Sequence, residues 1–201
     1  VLTGAVTVQT NTLDPAALRV GGKTYSGTQP KLKLTPGKHT VSLSQADYDT
    51  LKFSVTALPF THKTIAVHPQ LTPLGQQKHA AREFASNFAQ RYGTYSYQNF
   101  TSYAASMQPL MSPQLYGIYF APDFLPQRED TVITSQFSIT TTPTSTSLTS
   151  YSDSAAVVMV NSQTKAQSSG KTDNESETQI ITLAKSGAGW IVIDLSVKGA
   201  D

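Results

Sequence analysis

The chain has 201 residues, a formal net charge of +2 and no cysteine. That length allows one large domain or two small ones, and the missing thiols exclude a disulfide scaffold, a zinc-thiolate site, an iron–sulfur cluster and a cysteine nucleophile. Charged residues make up only 14% of the chain and Ser plus Thr roughly a quarter, a weakly charged, hydroxyl-rich balance that predicts an extracytoplasmic protein and offers no basic patch for nucleic acid.

In chain order, residues 1–70 read as all-β. Val6 and Val8 alternate with Thr7 and Gln9, the period-two pattern of a half-buried strand. Leu18 and Val20 repeat it before the Gly21-Gly22 turn, and Leu32 and Leu34 alternate with Lys31 and Lys33 ahead of Pro36-Gly37. Val41 and Leu43, then Leu51, Phe53 and Val55, then Ile65 and Val67 complete the series. Short strands divided by Gly and Pro predict a small β-sandwich. The chain opens at Val1 without an initiator Met, a leader or an apolar run of membrane-spanning length. Because strand pattern begins almost at once, an anchor or signal is expected upstream in the full-length protein.

The ordered phrases Gly4-Ala5-Val6-Thr7-Val8, Ala17-Leu18-Arg19-Val20-Gly21-Gly22-Lys23, Gly27-Thr28-Gln29-Pro30-Lys31-Leu32 and Pro36-Gly37-Lys38-His39 resemble a PEGA domain. Asp47 before Tyr48 stands where that family usually has Gly, and Asn11–Ala16 departs from its wording. The resemblance covers about a third of the chain. It implies an envelope accessory module and no catalytic residue.

Residues 71–77, with Pro73 and Gly75, read as a linker. The charge changes there: residues 1–75 carry seven basic and three acidic groups, residues 76–201 eight and ten. Beyond it, Ala81, Phe84, Ala85, Phe88 and Tyr92 share a helical face, with Gly93 placed to end the helix. Asn99 is expected to cap a second helix carrying Phe100, Tyr103 and Met107, and Ser112-Pro113 to open a third. Strands are then predicted over 132–142, 145–161, 177–184 and 190–198. Gly187-Ala188-Gly189 is read as the last turn, and Ser168–Glu175 as a longer polar loop.

Helices followed by antiparallel strands predict an α+β layer fold for residues 78–201. Helix–helix–helix–strands, with the Gly187–Trp190 hairpin, resembles the nuclear-transport-factor-like cone. The phrases Phe88-Ala89-Gln90-Arg91-Tyr92-Gly93-Thr94-Tyr95-Ser96 and Met107-Gln108-Pro109-Leu110-Met111-Ser112 are similar to extracytoplasmic domains of membrane-anchored bacterial proteins. Periplasmic scaffold subunits of conjugative type IV secretion systems share that layout.

An isomerase-like cone site needs a carboxylate base beside a Tyr or a protonated Asp. Tyrosines abound here and Asp123, Asp153 and Asp194 are the acids to weigh, but covering the helix–sheet core accounts for the tyrosines better. His39, His62, His68 and His79 match no ligand spacing, and Asp173–Glu177 lacks a calcium-loop pattern. No catalytic residue, metal or cofactor is assigned. The expected function is a non-enzymatic scaffold or adhesion part of a bacterial envelope protein, contacting other envelope proteins or cell wall, with the membrane reached only through the missing anchor. One alternative is a small-ligand or isomerase-like cone pocket lined by Tyr92, Tyr95, Tyr116 and Trp190. The other is cell-wall polysaccharide binding through Lys23, Lys31, Lys33 and Lys38.

Overall fold

Period-two patterning builds seven strands in the first 70 residues of the computed structural model, which describes residues 3–11, 15–123, 125–187 and 189–199. They are β1 (Gly4–Thr10), β2 (Ala16–Val20), β3 (Lys23–Gly27), β4 (Lys31–Leu34), β5 (Gly37–Gln45), β6 (Leu51–Ala57) and β7 (His62–Val67). One sheet has the order β4-β1-β7, with β1 and β7 parallel, and the other the order β3-β2-β5-β6. Both sheets feed one core. Val6, Val8, Leu32, Leu34 and Val67 come from the first, and Leu18, Val20, Val41, Leu43, Val55 and Ala57 from the second. The alternation places Lys31 and Lys33 on the exposed side of β4. Gly21 and Gly22 both have positive φ and join Val20 to Lys23 in a two-residue turn, the geometry that matches strand twist. Asp47, where the resembling family has Gly, also sits at positive φ (67°). Residues 12–14, inside the segment that departs from that family, lie outside the described residues.

The chain divides into two compact units, Val1–Gln77 and Lys78–Asp201. The linker expected over 71–77 is largely helix, since α1 spans Pro73–Tyr92. Pro73 takes the first helical position, and the Thr72 hydroxyl accepts from the Gly75 N–H at 2.9 Å.

The second unit carries α2 (Phe100–Met107), a 3-10 turn (Gln108–Leu110), α3 (Pro113–Tyr119) and α4 (Leu125–Thr134). Its strands are β8 (Tyr95–Ser96), β9 (Ser138–Tyr151), β10 (Ala155–Ser168), β11 (Lys171–Ser186) and β12 (Gly189–Gly199). The sheet order is β12-β11-β10-β9-β8, all antiparallel. Register shifts at Val157/Val158, Asn161/Ser162 and Thr182/Leu183 curl these long strands. The helices bury Ala81, Ala85, Phe88, Phe100 and Met107 in one core with Val158, Val160, Ile181, Leu183 and Val192 of the sheet. Among the described residues no helix is long and apolar enough to cross a membrane.

Four sequence expectations change here. Three helices are expected, and four α-helices form among the described residues. Residues 132–134, read as strand because Thr131–Thr134 is β-branched, belong to α4. The predicted 145–161 strand is a hairpin turning at 152–154. The polar loop over 168–175 is a tight turn at Ser169 (φ 46°) and Gly170 (φ 83°), and Asp173–Glu175 continue β11. The turn expected at 187–189 includes Ala188, outside the described residues.

Candidate functional site

The second unit's concave layer begins where α1 stops. Gly93 is buried, and a Cβ there would stand 2.0 Å from the Thr141 hydroxyl oxygen. This glycine therefore serves a close approach of helix end to sheet. Thr141 Oγ1 donates to the Gly93 carbonyl at 2.8 Å, and the Thr141 N–H donates to Thr94 Oγ1 at 3.0 Å. The clip's Gly93 and Thr94 lie between Tyr92 and Tyr95 in sequence, and both tyrosines line one small cavity.

The helix starts work differently from one another. Ser112 caps α3, its hydroxyl accepting from the Leu115 N–H at 3.2 Å. Asn99 precedes α2 as expected, but its side chain turns back and accepts from the Ser96 N–H and hydroxyl.

Aromatic rings fill much of the layer between helices and sheet. Tyr95 lies 4.7 Å from Tyr103 and 5.4 Å from Phe100, and Tyr92 meets Tyr119 edge-on at 5.7 Å, centroid to centroid. Such geometries add stabilisation beyond area burial. The Tyr103 hydroxyl donates to the Tyr92 carbonyl at 2.6 Å. Burial pushes the Tyr103 phenol well above its usual pKa, reinforced by Tyr92, and burial followed by Tyr119 does the same to Tyr92. Burial also raises Tyr95, with Arg128 opposing it. At neutral pH these phenols are proton donors and not bases.

A small cavity of about 110 Å³ remains among Tyr92, Tyr95, Tyr103, Thr141, Glu177 and Gln179. Gln179 is 1% exposed, and its Nε2 donates to Glu177 Oε1 at 2.7 Å. Its Oε1 is buried and has no partner among the described residues. Arg128 stands between this cavity and a wider groove of about 510 Å³ that includes Ile118 and Gln127. Its Nη1 donates to the Tyr119 carbonyl at 2.6 Å, and its guanidinium lies 5.9 Å from the Phe100 centroid and 5.8 Å from that of Phe120.

Of the four aromatic residues expected to line one pocket, the fold brings together only Tyr92 and Tyr95. Tyr116 donates to the Ala104 carbonyl at 3.2 Å and stacks on Phe120, tying α3 to α2. Trp190 lies at the start of β12 opposite Lys185, whose ammonium sits 4.1 Å from its ring centroid. Lys185 and Glu177 are eight positions apart along β11, about 26 Å of strand. Asp123, Asp153 and Asp194 are all exposed; the carboxylate at the cavity is Glu177. Glu177 enters the sequence reading only through the acidic run Asp173–Glu177, and Gln179 and Arg128 escape it. The signal for the first two was the alternation Glu177, Gln179, Ile181, Leu183, which places polar and core residues on one face.

The four lysines weighed for polymer binding divide between the two sheets of the first unit. Lys31 and Lys33 are on β4, Lys23 opens β3 and Lys38 is on β5. All four are exposed.

No protein-family model and no curated protein matches the sequence. Solved structures do match the fold. The periplasmic domain of DotI superposes with a TM-score of 0.53 at 11% identity, covering 61% of this chain and 95% of that one. An IcmL-like type IV secretion system protein from Legionella pneumophila superposes with a TM-score of 0.52 at 10% identity, covering 60% and 91%.

Proposed function

We propose that this protein is a non-enzymatic extracytoplasmic scaffold in a secretion-type assembly of a bacterial envelope. The observation that carries the reading is the fold likeness to two secretion-system domains, one of them periplasmic, each covered almost whole. The matched share of this chain has about the length of residues 78–201. In this reading that unit is a nuclear-transport-factor-like cone and residues 1–70 are a PEGA-like module. The aromatic packing between helices and sheet favours a body that works through its surface. The test is crosslinking in intact cells of the native host, using the full-length gene product, followed by identification of captured proteins. Capture of envelope secretion components is expected; capture of cytoplasmic proteins alone rejects the scaffold.

A second reading, a small-ligand site, is favoured by the unpartnered Gln179 Oε1 beside the Glu177 carboxylate. Two acceptors at one small cavity suit a hydroxyl, amide or ammonium group. Fragment binding followed by NMR, with Gln179→Leu as the comparison, tests it. Shifts confined to Tyr92, Tyr95 and Gln179 and lost in the variant would support a ligand role.

A further inference from the structure

The first unit is electrically and chemically polar along its strands. In the β5–β6 pair, Gly37 faces Ala57 and Leu43 faces Leu51, so the two ends of β5 lie about 26 Å apart. At the Gln45 end are the described acids of this unit, Asp47 and Asp49. The chain also leaves there: the Asp49 N–H donates to the Gln70 carbonyl at 2.8 Å, and the Thr72 N–H to the Asp47 carbonyl at 3.0 Å.

The Gly37 end carries the opposite chemistry. Its turn, Leu58–Thr61, joins β6 to β7 and leaves Leu58 57% and Phe60 84% exposed. The turn is fastened, not loose. The Phe60 N–H donates to the Thr3 carbonyl, the Ala5 N–H to the Thr61 carbonyl, and the Thr61 hydroxyl to the Leu58 carbonyl. A Cβ on Gly4 would meet the Leu58 carbonyl at 2.3 Å, so β1 lies directly against this turn. Phe60 has φ of 57°, an unfavourable backbone for a bulky aromatic. Exposed lysines surround it by register: Lys33 opposite Ala5, Lys38 opposite Thr56, and Lys63 opposite Val6. His62, also exposed, pairs with Ala5.

We propose that this end of the first unit docks on an anionic lipid bilayer, with Phe60 and Leu58 entering the interface and Lys33, Lys38 and Lys63 on the headgroup phosphates. Rigidly held apolar tips ringed by cations fit a surface that is apolar beneath and negative above. An anionic polysaccharide would engage the lysines and leave both apolar side chains in water, so it explains only half of the feature. The docking is independent of the scaffold reading, and it differs from an anchor because it needs no spanning segment.

The test is co-sedimentation of the 201-residue chain with vesicles of phosphatidylglycerol and phosphatidylcholine, against phosphatidylcholine alone. Binding to the anionic vesicles only, weakening as salt rises, is expected. Each of Lys33→Glu, Lys38→Glu and Lys63→Glu should weaken binding about fivefold or more, whereas Lys52→Glu, near the Leu51 start of β6 and away from the Gly37 end, should change it much less. Leu58→Ser with Phe60→Asn should cost about tenfold. Asn tolerates the left-handed backbone, so that variant keeps the turn, and an unchanged thermal transition checks it. Phe60→Trp should give emission that shifts to the blue with anionic vesicles beyond any change of Trp190 alone. Equal binding to both vesicle types overturns the proposal. So does Phe60→Trp emission that does not move, or binding to a soluble anionic polymer that matches vesicle binding and ignores the Leu58 and Phe60 changes.

Discussion

The two units turn their chains by different means. In the first, the β2–β3 turn is dictated locally: Gly21 and Gly22 supply positive φ and the strands follow. In the second, α1 stops where space runs out. Gly93 is needed because Thr141 stands where its Cβ would be, and no positive φ is involved. The end of α4 is set by tertiary packing with no glycine at all. Local turn chemistry can be read from neighbours in sequence; a close approach between residues 48 positions apart cannot.

The hardest test of that contrast is Gly93→Ala. The methyl would meet the Thr141 side chain at 2.0 Å and break a clip of two hydrogen bonds, one of them buried. Overpacking plus lost hydrogen bonds should cost about 3 kcal/mol, offsetting any gain in helix propensity. Urea unfolding followed at the second unit's Trp190 measures it. A midpoint within error of the parent would mean that the close approach carries no energetic weight. Gly75→Ala is the matching change in the first unit, since its methyl would lie 2.0 Å from the Asp47 carbonyl.

Next in size is an alkaline effect confined to the second unit. Tyr92, Tyr95 and Tyr103 have phenols raised by burial. A group with a raised native pKa contributes stability that is fully present below its unfolded value, near 10, and is lost as pH rises above it. The slope is at most about 1.4 kcal/mol per pH unit for each phenol, less for those partly reached by solvent. Melts at pH 9 and 11 should show the tyrosine-rich unit weakening faster than the first. Parallel loss in both units would remove the phenols as the cause.

How much of this was legible follows from the same contrast. The strands of the first unit were readable because Val, Leu and Ile alternate with polar residues and Gly or Pro stands between the runs. The buried face of α1 was readable at three- and four-residue spacing. Gly93 was read as a helix stop, correctly, but for a reason the fold replaces. Asp194 reads as a candidate cone acid, whereas the acidic run Asp173–Glu177 reads only as a failed calcium loop, which hides the cavity role of Glu177. Its place at the cavity depends on β11 being sixteen residues long. Tyr116 and Trp190 looked like pocket residues because they are aromatic, and only the strand register shows Trp190 lying far from Tyr95. The four lysines looked like one group because they are close in sequence, yet two sheets separate them.

A smaller effect comes from Gln179, whose buried Oε1 has no partner among the described residues. Gln179→Leu keeps much of the volume and removes that cost. With no ligand role, stability should rise by about 1 kcal/mol, seen as a higher urea midpoint. A fall would mean that the Gln179–Glu177 bond is worth more than the orphaned oxygen costs.

The smallest expected change reaches the contrast most directly. Gln136 has φ of 50°, its N–H donates to the Ile133 carbonyl, and the Phe137 N–H donates to the Val132 carbonyl. This is the left-handed helix ending that glycine ordinarily supplies. Without glycine, the sequence around 136 carries no stop signal, and the β-branched residues before it read as strand. Tertiary contacts must therefore hold Gln136 in a backbone it does not favour: Val132 is buried in the core, and the Tyr97 N–H donates to the Phe137 carbonyl at 2.8 Å. Gln136→Gly should relieve the strain, offset in part by the freer unfolded chain, for a net gain of about 0.5 kcal/mol. A fall in the second unit's urea midpoint would instead show that the Gln136 side chain contributes to that ending. The stop would then be written in the residue itself, and the two units would differ less than their sequences suggest.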